Sequence, residues 1–318
     1  MEMDQPMILA ATTDGPRAEA LRVHTRRRNF LARALGLGAG AATLAATRRP
    51  AEAQIAPVPG VTDAGILNFS LNFEYLGSEF YTNGLTGAGI AAAGLPINGS
   101  GTPGPTITKA NPTVPFATPS LRQFFTELGR DEQAHVLTVR AAVTAAGGTP
   151  IAKPAIDLLN SFNTASQLAG LGATFDPYAD ETSFLLGAYI LEDVCVSALH
   201  GAAPLIVSKA VLAGAAGLLG VESYQAGAIR TLLYQRGRGA ATQAISTVRA
   251  NASGVADFGV AQGPLNNGPA GTASIVLADR NALALARNFR QVLNIAYLAP
   301  GAAAGGFFPM GIGGTIRG

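Results

Sequence analysis

The chain has 318 residues, 48% hydrophobic and only 13% charged, with a net charge of +2, 39 Gly, one Cys and no Trp. High hydrophobicity with almost no net charge excludes a disordered chain, the single cysteine excludes a disulfide scaffold, and the charge balance excludes a nucleic-acid binder working through a basic surface. Residues 1–53 hold eight Arg against five acids, leaving 14 basic and 15 acidic groups beyond Ala53, and so neutral a body argues against an electrostatically held partner.

The first pattern along the chain is a leader. Arg26-Arg27-Arg28-Asn29-Phe30-Leu31 precedes a soft apolar stretch, Ala32 to Thr47, and Ala51-Glu52-Ala53 follows. Basic, apolar and small-residue zones in that order read as a signal peptide over 1–53, and the paired arginines followed by x-Phe-Leu resemble a twin-arginine export signal. The expectation is cleavage after Ala53 and a periplasmic or secreted protein. Such export carries folded chains, which suits one that takes up metal beforehand. No integral membrane span is expected in the mature chain: the longest later apolar run, Leu205 to Val221, contains Lys209 and reads as a buried helix. Because Cys195 is alone, stability must come from the core.

Four segments have helical period: Asp63–Leu85, Pro119–Ala146, Asp180–Val207 and Ser208–Gln235. Residues 86–118, rich in Gly, Pro and Thr, read as a loop insertion, and 147–177 are mixed. The pattern predicts a four-helix bundle over 61–237 and a C-terminal extension, 238–318, packed on it. That extension is expected to contain a fifth helix near Asp279–Tyr297 and a tail, Gly305-Gly306-Phe307-Phe308-Pro309, whose aromatics dock on the body.

At 100° per residue, Leu67, Ser70, Leu71, Glu74, Ser78 and Tyr81 share one face of the first helix, with Asn68, Asn72, Glu79 and Asn83 opposite. Glu132 and His135 fall on the apolar face of the second helix, Glu192 with Tyr189 and Cys195 on that of the third, and Glu222 with Gln225 on that of the fourth. Beyond Ala53 the chain has seven Glu, and four of them occupy positions where an amphipathic helix would place leucine. The alternative is that these side chains reach solvent or Arg122, Arg140 and Arg230. Cys195 reads as a small buried hydrophobe, Tyr189 as a partner of Glu192 or as core, His200 as a surface or helix-end group, and Glu181 as a first-turn acid.

An unpaired carboxylate in an apolar core costs several kcal/mol or takes up a proton. Two divalent cations would neutralise four carboxylates, and hard oxygen donors suit iron, manganese or magnesium. Glu132-Gln133-Ala134-His135 is Glu-x-x-His, which sets a carboxylate and an imidazole about a turn apart, as in di-iron and di-manganese bundles. Glu222-Ser223-Tyr224-Gln225 repeats the spacing with glutamine in the histidine place. For Glu192 and Glu222 to stand level on antiparallel helices the chain must reverse near residue 207, where Ser208 suits an N-cap and Pro204 conflicts mildly with the preceding turn. The 60 residues from Glu132 to Glu192 leave room for one long crossover.

The chain resembles the ferritin-like superfamily, and in particular exported ferritin-like proteins related to plant desiccation-associated proteins. The matching segments are Ile66-Leu67-Asn68-Phe69-Ser70-Leu71-Asn72-Phe73-Glu74-Tyr75-Leu76, Asp131-Glu132-Gln133-Ala134-His135, Leu191-Glu192-Asp193, Gly220-Val221-Glu222-Ser223-Tyr224-Gln225 and the Gly305–Pro309 tail. The resemblance implies an all-α ferritin-like bundle holding two iron or manganese ions. It implies Glu132 and Glu222 as bridging ligands, Glu74 and His135 as terminal ligands to one metal and Glu192 to the other. Gln225 departs from the family's second histidine, and its amide oxygen is a weaker donor for iron. Two functions follow: redox chemistry with oxygen, peroxide or ferrous iron, or a non-catalytic desiccation- or stress-related protein with a degenerate or vacant site. Self-association stays open at this level.

Overall fold

The computed structural model describes residues 60–261, 272–279 and 281–317; the leader expected over 1–53 lies outside them. Among the described residues the elements are α1 (Asp63–Thr86), β1 (Thr106–Ile107), α2 (Pro119–Ala145), β2 (Ile156–Asp157), α3 (Asn160–Leu168), α4 (Glu181–Ala202), α5 (Lys209–Gln235), α6 (Gly239–Ser253) and α7 (Phe289–Ala296). The fold is all-α. The four helices that periodicity predicts are α1, α2, α4 and α5, packed with α1 on α2, α4 on α5 and α1 on α4. Residues 146–180 form the long crossover and carry β2 and α3. β2 pairs in parallel with β1 of the first loop, Thr106 opposite Ile156 and Ile107 opposite Asp157.

Local chemistry sets the helix ends. The Thr62 hydroxyl caps α1 by accepting from Gly65 N, and Gly87, at φ 78°, stops the helix with its N–H on Asn83 O. Asp180 caps α4 through Thr182 N and Ser183 N. Ser208 caps α5 through Val211 N, as the spacing suggests. Pro204 falls in a 3-10 turn, Ala203–Leu205, just past the end of α4, so it breaks no helical hydrogen bond. The stretch Glu181–Leu205 is long and apolar enough to cross a membrane, yet most of it is buried among the other helices, as befits a core element.

α1 is buried nearly all round. Its polar face is covered, because Asn68 donates to Thr149 O and accepts from Ile151 N, while Asn72 donates to Gly313 O and accepts from Gly313 N. Glu79 on the same face stands 3.4 Å from the buried ammonium of Lys153. At one end of the core, Phe80, Tyr81, Phe125 and Phe184 pack with ring centroids 4.6–6.1 Å apart, spacings at which aromatic pairs attract. The tail docks as expected: Phe307 meets Phe162 and Phe308 meets Phe73 edge to face, both phenylalanines buried.

The fifth helix is shorter than expected. It begins at Phe289 behind a capping box of Asn288 and Gln291; upstream, Ala282 at φ 61° cannot belong to a right-handed helix, and Arg287 N–H is committed to Ser197 O. Hydrophobic periodicity does not reveal α6, because its buried face is Thr242, Ile245, Ser246, Arg249 and Ser253. That polar face belongs to a buried ionic network. Asp193 of α4 accepts from Arg230 and Arg249, each at 2.8 Å, and Asp257 accepts from Arg249 at 2.9 Å and Arg287 at 2.7 Å. Burial alone would raise the Asp257 carboxyl, but the two guanidinium groups hold it below its ordinary value.

Asp257→Ala would leave the buried Arg287 without a carboxylate partner and Arg249 with Asp193 alone, at a cost of about 3–5 kcal/mol. Denaturant unfolding should show a loss of that size; a change below about 1 kcal/mol would contradict the network's role in holding the extension to α4.

Candidate metal centre

α1 brings Glu74, α2 brings Glu132 and His135, and α5 brings Glu222 into one buried group, with a ligand atom from each lying within 4.8 Å of all the others. His135 Nδ1 stands 3.3 Å from Glu132 Oε1, 3.3 Å from Glu222 Oε1 and 3.6 Å from Glu74 Oε2. These contacts are close enough for charge attraction, but the ring N–H is not aligned for a hydrogen bond with any of them. The group sits where three of the inward glutamates and the His135 imidazole converge, each in a stripe of apolar neighbours.

Glu192 of α4 lies beside Glu222. Its Oε1 accepts a short hydrogen bond from the Tyr81 hydroxyl, while its Oε2 is buried without a partner. Gln225, one turn past Glu222, donates through Nε2 to Asp131 Oδ2 at 3.2 Å, leaving its Oε1 buried and unpartnered. Ser70 donates to Glu74 Oε1 at 2.8 Å. No ion pair among the described residues joins an arginine to the four glutamates: Arg230 serves Asp193, and Arg140 reaches Tyr75. Each of the six residues singled out by the sequence therefore lies in or beside the group.

Tyr81, rather than Tyr189, holds Glu192. Tyr189 lies under the Arg249 and Arg230 guanidiniums, at 4.5 and 5.5 Å from its ring, and pairs with Ser246 Oγ at 2.6 Å. A signal for Tyr81 was present in the sequence, since it shares the Glu74 face of α1. Gly77 is a second contributor that charge patterns do not show: a Cβ there would run into the Glu132 carboxylate. His200 binds Ala284 O through Nδ1, and Glu181 accepts from Thr118 N and Oγ1, so neither takes part.

The metal-free electrostatics are strained. Burial first, and then the neighbouring carboxylates, raise Glu74, Glu132 and Glu222 to about 7 from the ordinary 4.5. The same causes carry Glu192 well above the usual range. Burial lowers His135, but the adjacent carboxylates outweigh it and raise the imidazole to about 11. Burial also lifts the Cys195 thiol, with the glutamates adding to it; Cys195 is an inert neighbour rather than a thiolate donor.

Whether a metal suits these residues can be judged from the atoms left over. Of eight buried side-chain polar atoms without a hydrogen-bond partner among the described residues, five belong here: Glu132 Oε1, His135 Nδ1, Glu192 Oε2, Glu222 Oε2 and Gln225 Oε1. Buried polar atoms are almost always partnered, and a cation held between these side chains would give the five a common partner. Oxygen donors with one imidazole fit iron or manganese.

The sequence pattern of the ferritin-like domain matches residues 62–235. The chain belongs to the ferritin-like family. It is 34% identical over 180 residues to the desiccation-related protein PCC13-62 of Craterostigma plantagineum, a match covering 55% of this chain and 54% of that one. It is 30% identical over 277 residues to the ferritin-like catalase Nec2 of Nesocodon mauritianus, covering 81% of this chain and 86% of that one. The chain thus spans about half the length of the first relative and most of the second. In this ferritin-like bundle α1, α2, α4 and α5 all fall within the matched region.

Two outcomes test the centre. In metal-stripped protein the folded state keeps protons that the unfolded chain releases between pH 4.5 and about 7 at Glu74, Glu132 and Glu222, so stability should fall as pH rises through that window. Melting temperatures in chelator should show it; a curve flat from pH 4.5 to 7 would contradict the placement of these carboxylates. Gly77→Ala should displace the Glu132 carboxylate and lower metal content with the fold retained. Unchanged metal stoichiometry by mass spectrometry would refute the contact.

Proposed function

We propose that this protein binds two iron or manganese ions in its bundle and uses them in redox chemistry with peroxide or oxygen, peroxide disproportionation being the leading reaction. The observation that carries the reading is the convergence of five unpartnered buried donor atoms from α2, α4 and α5 on one group, together with Glu74 from α1. The ferritin-like catalase relative, matched over most of its length, supports peroxide as the oxidant.

The metals, when bound, would supply the electrons exchanged with peroxide. The remaining tasks fall to the chain. Glu74 and His135 would bind one ion, Glu192 and Gln225 the other, and Glu132 and Glu222 both. Ser70 orients Glu74, and Tyr81 orients Glu192 while holding a proton on its own hydroxyl, well above its ordinary range because of burial and the adjacent carboxylates. Phe125 and Phe184, both fully buried and packed against the Tyr81 ring, would keep water from that end. We also propose export to the periplasm or beyond through the leader at 1–53, on the strength of its Arg27-Arg28-Asn29-Phe30-Leu31 run and zone order.

Gln225 supports a second reading, a non-catalytic stress protein like the desiccation-related relative, since an amide oxygen holds iron less firmly than imidazole. Metal analysis of protein purified from its own cells, beside Glu132→Ala and Gln225→His, separates the two. The redox reading expects about two ions per chain, their loss in Glu132→Ala and peroxide turnover in the native protein. Metal-replete protein that turns over neither peroxide nor ferrous iron overturns it. Native protein without metal, gaining it in Gln225→His, establishes the second.

A further inference from the structure

The first half of α5 is apolar on every side, running from Ala210 to Val221 after a single Lys209. It lies on α4 but stands off α1 and α2, and a Cβ added at Gly214 or Gly217 would meet nothing within 4 Å. Between these helices is a cavity of about 470 Å³ with walls that include Phe69, Phe73, Val139, Leu199, Val211 and Leu218. That volume lies within the range of cavities that bind organic ligands. One end lies at Asp63, Ala145 and Ser208, where the bundle's helices begin and end; the other lies at Ser70, Glu74 and Cys195 beside the metal centre. Eleven residues separate Asp63 from Glu74, about 16 Å of helix axis. The space is therefore elongated.

Apart from the exposed Thr138, the polar groups at its two ends are already engaged. Asp63 accepts from Val207 N and Ser208 N, the Ser208 hydroxyl accepts from Val211 N, and the Ser70 hydroxyl donates to Glu74. An occupant needing hydrogen bonds along its length would lose them on entering, whereas an apolar chain would lose only contact with water. Charge fixes the direction. The inner end is lined by Phe73, Cys195 and the Ser70–Glu74 pair and carries no cationic side chain. At the outer end Lys209, between the lining residues Ser208 and Ala210, is exposed and has no acidic partner among the described residues.

We propose that this cavity binds a long unbranched hydrocarbon chain, as carried by a fatty acid, with its tail against Glu74 at the metal centre and its carboxylate outside near Lys209. The inner half of the proposal rests on the metal-centre reading; the cavity and its outer charge do not.

The test uses the full-length protein, metal-stripped and manganese-loaded. cis-Parinaric acid, which fluoresces in apolar surroundings, is titrated in and then displaced with palmitic acid. Saturable binding in both forms is expected. It should weaken by about tenfold or more in Gly214→Trp, where the new side chain takes up the space, and be unchanged in Leu212→Trp, on the same helix outside the cavity walls. Lys209→Ala should weaken palmitate but not hexadecanol. Broadening of a labelled palmitate methyl by bound manganese, stronger than that of its carboxyl carbon, places the tail at the centre. Absence of saturable binding, equal binding in Gly214→Trp with the melting temperature retained, or the carboxyl broadened more than the methyl overturns the proposal. Protein that takes up no manganese but still binds the acid defeats the metal reading and leaves the cavity.

Discussion

Carboxylates repel one another and lose hydration when buried, and this bundle buries three of them within 3.6 Å of a single imidazole and a fourth beside them. In water either problem is small; in an apolar core both together would unfold a helix pair unless protons or cations intervene. The structure around the group makes sense as a response to that constraint. Ser70 and Tyr81 each steady one carboxylate, Gly77 makes room for another, and among the described residues no arginine pairs with any of them. The basic groups that could have neutralised the cluster are instead paired with Asp193 and Asp257, so the cluster's charge is left for ions to balance.

That partition depends on two successive residues of α4. Glu192 faces inward to the cluster, while Asp193, next in sequence, holds Arg230 of α5 and Arg249 of α6, and Arg249 in turn shares Asp257 with Arg287. The C-terminal extension is thereby more than a cover. It fixes the rotation of α4 about its own axis, because a turn that slackened the Asp193 contacts would move Glu192 in the same step. Close contact elsewhere reinforces this, since Gly201 leaves no room for a Cβ against the backbone of Arg287.

What the sequence made legible was whatever repeats at helical spacing against an apolar background. Glu74, Glu132, Glu192 and Glu222 stood out because each interrupts a hydrophobic stripe, and the wheels placed them on the correct side. α6 was invisible by the same method, because Thr242, Ser246, Arg249 and Ser253 bury polar groups along its stripe and satisfy them with partners distant in the sequence. Asn68 and Asn72 looked like a wetted face for a related reason: their burial comes from backbone at Thr149, Ile151 and Gly313, which no local pattern reveals. Tyr189 was the candidate partner of Glu192, yet it faces the arginines and Ser246, and Tyr81 from α1 holds the carboxylate instead.

The clasp between Asn72 and Gly313 joins positions 241 residues apart. Until the tail arrives, the Asn72 side chain has only carbonyls of its own helix as partners, at Asn68 and Phe69, and the aromatic face beside it at Phe73 has no Phe308 to cover it. Contacts of such long sequence separation form late, after the loop entropy between them has been overcome. A chain emerging from the ribosome can therefore assemble α1 and α2 early but cannot seal them, and the bundle's first helix is closed only once Gly313 has been made.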